Sequence, residues 1–212
     1  MTLLQSLIAF LAAAAIVVVT PGMDTALVLR TAAVDGAKRG VVAAFGVGFG
    51  CLVWGASVAL GLGALIAASH AAYQLLRWAG AAYLAWLGLR MLIRPRHSLA
   101  PPTGSAPLLA GRGWPAALRR GFFSNLLNPK AGVFYVSFLP MFVPAGYAVA
   151  PFVFMLAVIH ATMGIAWLSS LAAATARLGG VFSRTGVVRA LDRITGCVFL
   201  GFSARLAFFE RA

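Results

Sequence analysis

LLQSLIAFLAAAAIVVVTPGMDTALVL, residues 3 to 29, contains no Lys or Arg and a single carboxylate, Asp24. About 20 consecutive apolar residues suffice for a helix to cross the ~30 Å hydrocarbon core of a bilayer. Carried on to Val34 as one straight helix, the run would extend about 48 Å at ~1.5 Å per residue, far longer than that core. Pro21 and Gly22 relieve the mismatch: proline removes a backbone donor and clashes with the preceding turn, and glycine tolerates dihedrals that other residues avoid. The expectation is a membrane helix broken near its middle.

Working outward, further apolar runs cover Val41 to Ser69, Trp78 to Ile93, Phe122 to Val143, Val149 to Thr175 and Ile194 to Phe209, the last containing Arg205. Of the 212 residues 62% are hydrophobic and 10% charged, against about 25% charged in soluble domains. With a mean hydropathy of +0.95, the chain reads as an all-α integral membrane protein of six transmembrane helices. The opening helix lacks a basic leader and runs into further spans, so it is expected to be retained.

A formal net charge of +13 would suggest a nucleic-acid partner in a soluble protein. Here the charge gathers in alternate loops, so no nucleic acid is expected. Arg30, Lys38 and Arg39 follow the first span; Arg90, Arg94, Arg96, Arg112, Arg119 and Arg120 separate the third from the fourth; Arg177, Arg184, Arg189 and Arg193 separate the fifth from the sixth. By the positive-inside rule these loops are cytoplasmic and both termini lie outside.

The stretch 94–118, rich in Pro, Gly and Arg, reads as a cytoplasmic linker between a first three-helix unit, 1–93, and a second, 119–212. Three spans per unit forces the second unit to start from the opposite side of the bilayer, which is the arithmetic of an inverted repeat. Each unit's first long run is interrupted by proline in a polar setting, TPGMD at 20–24 and NPK at 128–130. Paired interruptions of this kind point to a transport site between repeats.

Thr20 and Asn128 each precede a proline, the signature of a helix start, so both are expected to cap half-helices whose N–H groups favour a carboxylate. The candidate substrate-binding residues are therefore Thr20, Pro21, Gly22, Asp24, Asn128, Pro129 and Lys130. Asp24 is one of four acidic residues and sits in an apolar run, where a carboxylate marks function by default; capping its own helix is the structural alternative. Asp24 and His160 are the candidates for proton coupling. Asp35 and Asp192 are expected to form solvated ion pairs with neighbouring basic residues. Gly46, Gly48 and Gly50 favour close helix contact, within the chain or in a homodimer. Cys51 and Cys197 have no metal-ligand or CxxC spacing and are expected to be buried and inert, with no metal bound.

Beside TPGMD, the block NLLNPKA at 125–131 with GFFS at 121–124, FLPMFV at 138–143 and LDRITG at 191–196 together resemble the LysE/RhtB family of bacterial amino-acid exporters over essentially the whole chain. The resemblance implies six helices in inverted repeats, an inner-membrane location and export of amino acids driven by the proton motive force, with no cofactor. Two positions depart from the pattern: Met23 replaces the usual second proline, and Cys51 stands where many relatives have an acidic residue. The second departure favours a neutral substrate such as threonine, homoserine, its lactone, leucine or a cysteine-related metabolite.

Three other classes compete. An electron carrier needs facing cysteines in the broken helices, whereas Cys51 and Cys197 fall in the second and sixth spans. An intramembrane serine protease rests on GFSA at 201–204 together with His160. A structural membrane protein leaves the paired breaks and Asp24 without a purpose.

Overall fold

The structure, a computed structural model, describes residues 2–68, 70–95, 113–175 and 185–208. Every regular element among them is helical. Helix α1, Leu3–Val19, opens with a reciprocal cap: Thr2 Oγ1 accepts from the Gln5 amide, and the Gln5 side chain accepts from the Thr2 amide. The chain then bends by 50° into α2, Met23–Asp35. Gly36, at φ 96°, ends α2 and lets the chain turn directly into α3, Ala37–Ala68. Helix α4 follows over His70–Ile93.

The second unit opens with α5, Trp114–Leu126, after Gly113 at φ 108°. This start lies within the stretch expected to be linker. Pro115 is accommodated because it falls in the first turn, where a backbone N–H has no intrahelical partner to lose. After the interruption at Leu127 and Asn128 come α6, Pro129–Val133, a π-helical turn, Phe134–Phe138, and a 3-10 turn, Leu139–Phe142. Helices α7, Val149–Ala173, and α8, Thr185–Phe208, complete the described fold.

Among the described residues, two helical stretches, Ala37–Gly61 and Val149–Ala173, are long and apolar enough to cross a bilayer alone, and the bent pair α1 and α2 makes a third such stretch. Trp78–Ile93 and Lys130–Phe142 are shorter apolar segments. On α3 the exposed residues include Phe45, Phe49 and Val53, 46%, 50% and 41% accessible. Their spacing of four residues draws an apolar stripe along the outside of the helix, as a lipid-facing surface requires.

Helix α3 is the central post, packed along α5 on one side and α7 on the other, while α4 packs along α8. Its glycines explain the closeness. A Cβ on Gly46 would lie 2.1 Å from the Leu118 carbonyl oxygen, and one on Gly121 would lie 2.0 Å from that of Ala43. The α3 and α5 backbones therefore touch, and only glycine permits it. Gly48 turns toward Ile165 on α7, so the glycines serve packing within the chain. Gly88 and Gly196 make the same close crossing between α4 and α8, each Cβ position lying 2.8 Å from the other's carbonyl oxygen.

Far from the two breaks, Ser6 Oγ donates to the Phe142 carbonyl and Phe10 packs edge-on against Phe142 with ring centroids 5.4 Å apart. Phe138 and Phe202 extend this aromatic cluster, tying α1 and α8 to the end of the second broken stretch.

Three expectations need correction. Asp35 does not rely on its sequence neighbours: its carboxylate pairs with Arg120 of α5 at 2.7 Å, while Arg39 reaches its backbone oxygen. Asp192 is only 1% exposed, since α8 packs it against the bundle instead of leaving it in solvent. Cys51 is buried as expected, but Cys197 is exposed on the outer side of α8. Arg205's side chain, the linker residues 96–112, and Arg177 and Arg184 lie outside the described residues.

Candidate functional site

The two interruptions meet. Asp24, in the first turn of α2, receives three hydrogen bonds from the second broken stretch: Ser124 Oγ at 2.8 Å, Asn125 Nδ2 at 2.9 Å and Asn128 Nδ2 at 3.2 Å. Ser124 and Asn125 come from the last turn of α5, and Asn128 from the extended residue that follows the interruption, so the end of α5 and the start of α6 converge on one carboxylate.

Asn128 has two tasks. Its Oδ1 accepts from the Lys130 amide at 3.0 Å, capping α6 with Pro129 in the first helical position. That use of the carbonyl leaves the amide nitrogen to donate to Asp24. The Lys130 ammonium lies against the other break, 3.9 Å from where a Cβ on Gly22 would stand. A carboxylate from the first break and an ammonium from the second thus share one polar centre within an apolar bundle.

Energetics favour a charged pair of this kind only with support. Burying an ion costs several kcal/mol even after relaxation. Hydrogen bonds to a charged group return about 1.5–3 kcal/mol each. Three such bonds to Asp24 match the penalty in size. A carboxylate offers roughly four lone-pair positions, so one remains for a further donor, and Asp24 is only part-buried.

Of the expected site residues, Gly22, Asp24, Asn128 and Lys130 come together here. Asn128 is the helix cap the sequence predicts. Thr20 is not. It adopts extended backbone at the C-terminal end of α1, as residues before proline do, and its hydroxyl donates back to the Ile16 carbonyl at 2.7 Å and pairs with Thr195 of α8. Gly22 holds the N-cap position of α2, where the Thr25 hydroxyl accepts from its amide at 3.3 Å. Pro21 is buried between the two helices.

His160 stands one layer further along the second broken stretch. Its Nδ1 lies 2.9 Å from the Tyr135 hydroxyl, and Cys51 lies beside that hydroxyl and the Asn125 amide. Ser203 takes no part: its hydroxyl donates to the Ala81 carbonyl at 2.8 Å, joining α8 to α4. Ser203 and His160 thus bond to separate groups, and these two residues do not pair as nucleophile and base.

Ser124, Asn125 and Tyr135 were not singled out from the sequence. Their only sequence signal is that they are polar groups inside a largely apolar run.

Long apolar helices around a polar centre, built where two interrupted helices meet, are the anatomy of a membrane transporter. The chain belongs to the LysE type translocator family, which it matches over residues 15–209; these proteins are transporters, not enzymes. It is 32% identical over 209 residues to the leucine efflux protein of Klebsiella pneumoniae, covering 95% of this chain and 94% of that one. It is 30% identical over 200 residues to an uncharacterized membrane protein of Vibrio cholerae, covering 94% and 95% of the two chains. The membrane protein YrhP of Bacillus subtilis is 28% identical over 206 residues, covering 95% of this chain and 98% of YrhP. No solved structure matches.

Proposed function

We propose that this protein exports neutral amino acids, leucine-like or threonine-like, across the bacterial inner membrane by coupling to the proton motive force. The observation that carries the reading is the meeting of the two breaks, where the Asp24 carboxylate of one is bonded by Ser124, Asn125 and Asn128 of the other and Lys130 stands alongside. A zwitterionic amino acid presents one carboxylate and one ammonium, and this centre offers a complement to each. The substrate carboxylate rests at Lys130 and the helical stretch that begins at Pro129; its amine takes the remaining lone-pair position of Asp24 beside Gly22. Membership of the LysE family and the relatives named leucine efflux protein support the substrate class.

In this reading six helices form two inverted three-helix repeats, with the broken spans first in each. The pairing of α3 with α7 and of α4 with α8 supports it, because a two-fold axis in the membrane plane sets equivalent helices against each other. Asp35, at the end of α2 just before Lys38 and Arg39, pairs with Arg120 of α5, which sets two basic regions side by side and supports a common cytoplasmic face and external termini. Rocking of the repeats then exposes the centre to either side, and protonation of Asp24 releases the amine.

The test loads bacterial cells with dipeptides and follows a panel of released amino acids from wild type, Asp24→Asn and empty vector. Faster release of a neutral amino acid from wild type alone supports export and the role of Asp24. Release from Asp24→Asn equal to wild type would overturn the site, and no release of any amino acid by well-expressed wild type would overturn the substrate class.

A further inference from the structure

His160 is buried, with 9% of its surface accessible, and its imidazole packs on the Phe134 ring with centroids 4.5 Å apart. One ring nitrogen is engaged, Nδ1 with the Tyr135 hydroxyl; the other, Nε2, is buried without a hydrogen-bond partner among the described residues. An orphaned polar atom in an apolar bundle is costly, so it calls for an explanation.

The tautomer follows from chemistry. A phenol is a better donor than a neutral imidazole N–H, and an imidazole nitrogen is a better acceptor than a phenol oxygen. The stronger arrangement has Tyr135 donating to Nδ1, which leaves the hydrogen on Nε2 and makes Nε2 a donor.

The surroundings point the same way. Lys130 lies within electrostatic range of both His160 and Asp24. Gly132, between Lys130 and Tyr135, faces the Trp54 ring, with its Cβ position 3.0 Å away, and the Trp54 Nε1 donor is likewise buried without a partner among the described residues. Residues 134–138 form a π-helical turn, a local irregularity that recurs at functional sites; it brings both Phe134 and Tyr135 onto His160. Around residues 130–135 there are thus N–H donors from three helices, and the complement of such a set is an anion.

Resting on the reading of the protein as an amino-acid exporter, we propose that His160 is a specificity-determining residue that donates from Nε2 to the substrate carboxylate, with Tyr135 as the positioning residue that holds the required tautomer. His160 then reads the carboxylate and is not the group that carries the coupled proton.

The test uses purified protein in liposomes and compares transport of leucine with leucinamide, which keeps the side chain and amine but lacks the carboxylate. In wild type, leucine should be strongly preferred. His160→Ala should weaken the apparent affinity for leucine by about tenfold, the worth of one hydrogen bond to a charged group, and weaken leucinamide, whose neutral carbonyl is the poorer acceptor, distinctly less. His160→Gln, whose amide N–H can occupy the place of Nε2–H but cannot titrate, should restore most of the preference and retain proton-driven transport. Tyr135→Phe should fall between them, because either tautomer is then free to form. Equal weakening of leucine and leucinamide in His160→Ala, or a His160→Gln variant as defective as His160→Ala, would overturn the proposal. If wild type moves no neutral amino acid, the export reading itself fails and this inference falls with it, a result distinct from either variant outcome.

Discussion

At residues 20–24 and at 128–130 a proline interrupts an apolar stretch, yet the two interruptions are built differently. In the second, Asn128 caps the following helix with its side-chain oxygen and donates one amide N–H to Asp24. In the first, Thr20 faces backward to Ile16 and sideways to Thr195, and the following helix begins at Gly22 without a side-chain cap. The second break is therefore self-supporting and rich in donors, whereas the first contributes the acceptor, Asp24, and depends on its partner for neutralisation. The lesson is that matching punctuation in two repeats need not mean matching chemistry. A zwitterion is served best when one break carries the anion and the other the cation.

The largest effect should come from prying the helix that leads into the second break away from α3. Gly121→Val would force a side chain into the Ala43 carbonyl, from which even a Cβ stands only 2.0 Å away. Backbone cannot yield as a flexible side chain does, so the cost should exceed about 3 kcal/mol, the upper range for ordinary overpacking. The expected outcome is little folded protein in detergent extracts, read by size-exclusion chromatography.

Next comes the acceptor itself. Asp24→Asn removes the charge while retaining shape, and its own amide group faces the Asn125 and Asn128 donors. Efflux should fall by tenfold or more, corresponding to at least about 1.4 kcal/mol, with membrane abundance near wild type on immunoblots.

A sharper form of the comparison swaps the second break's chemistry toward the first. Asn128→Asp remains an excellent helix cap, and Asn128→Ala loses the cap at a cost of about 1 kcal/mol. If capping were the residue's main task, Asp would outperform Ala. Because the amide nitrogen donates to Asp24, Asp instead sets two carboxylates together, and it should transport less well than Ala in the same efflux assay.

The smallest effect belongs to the rim. Asp35 and Arg120 are each nearly a quarter exposed, and an accessible ion pair contributes about 0–1 kcal/mol. Asp35→Asn should lower thermal stability by only a few degrees, and high salt should shrink the difference between variant and wild type.

Several of these features were legible in the sequence, because they depend on local chemistry. Asn128 followed by proline predicts a cap, and the cap forms. Pro21 and Gly22 predict a break, and the chain bends there by 50°. Thr20 carries the same signal as Asn128 but fails, since Gly22 supplies a more permissive start two residues later and the Thr20 hydroxyl is engaged by Ile16 and Thr195. Asp35 misled for a related reason: Lys38 and Arg39 are near in sequence, but α5 brings Arg120 nearer in space. Ser124 and Asn125 escaped notice because a polar residue on a helix gains meaning only once the opposing face is known.

The sequence by itself determined the membrane class, the positions of the interruptions and the uneven placement of basic residues, since hydropathy, proline geometry and charge act over a few neighbouring residues. Tertiary structure alone decided that Asp24 is satisfied by Ser124, Asn125 and Asn128, that Tyr135 occupies one nitrogen of His160, and that α3 and α5 meet backbone to backbone at Gly46 and Gly121. Those outcomes join residues that lie far apart along the chain. Hydrogen bonds act over about 3 Å, so which distant groups come within that range is fixed by helix packing and not by the order of the residues.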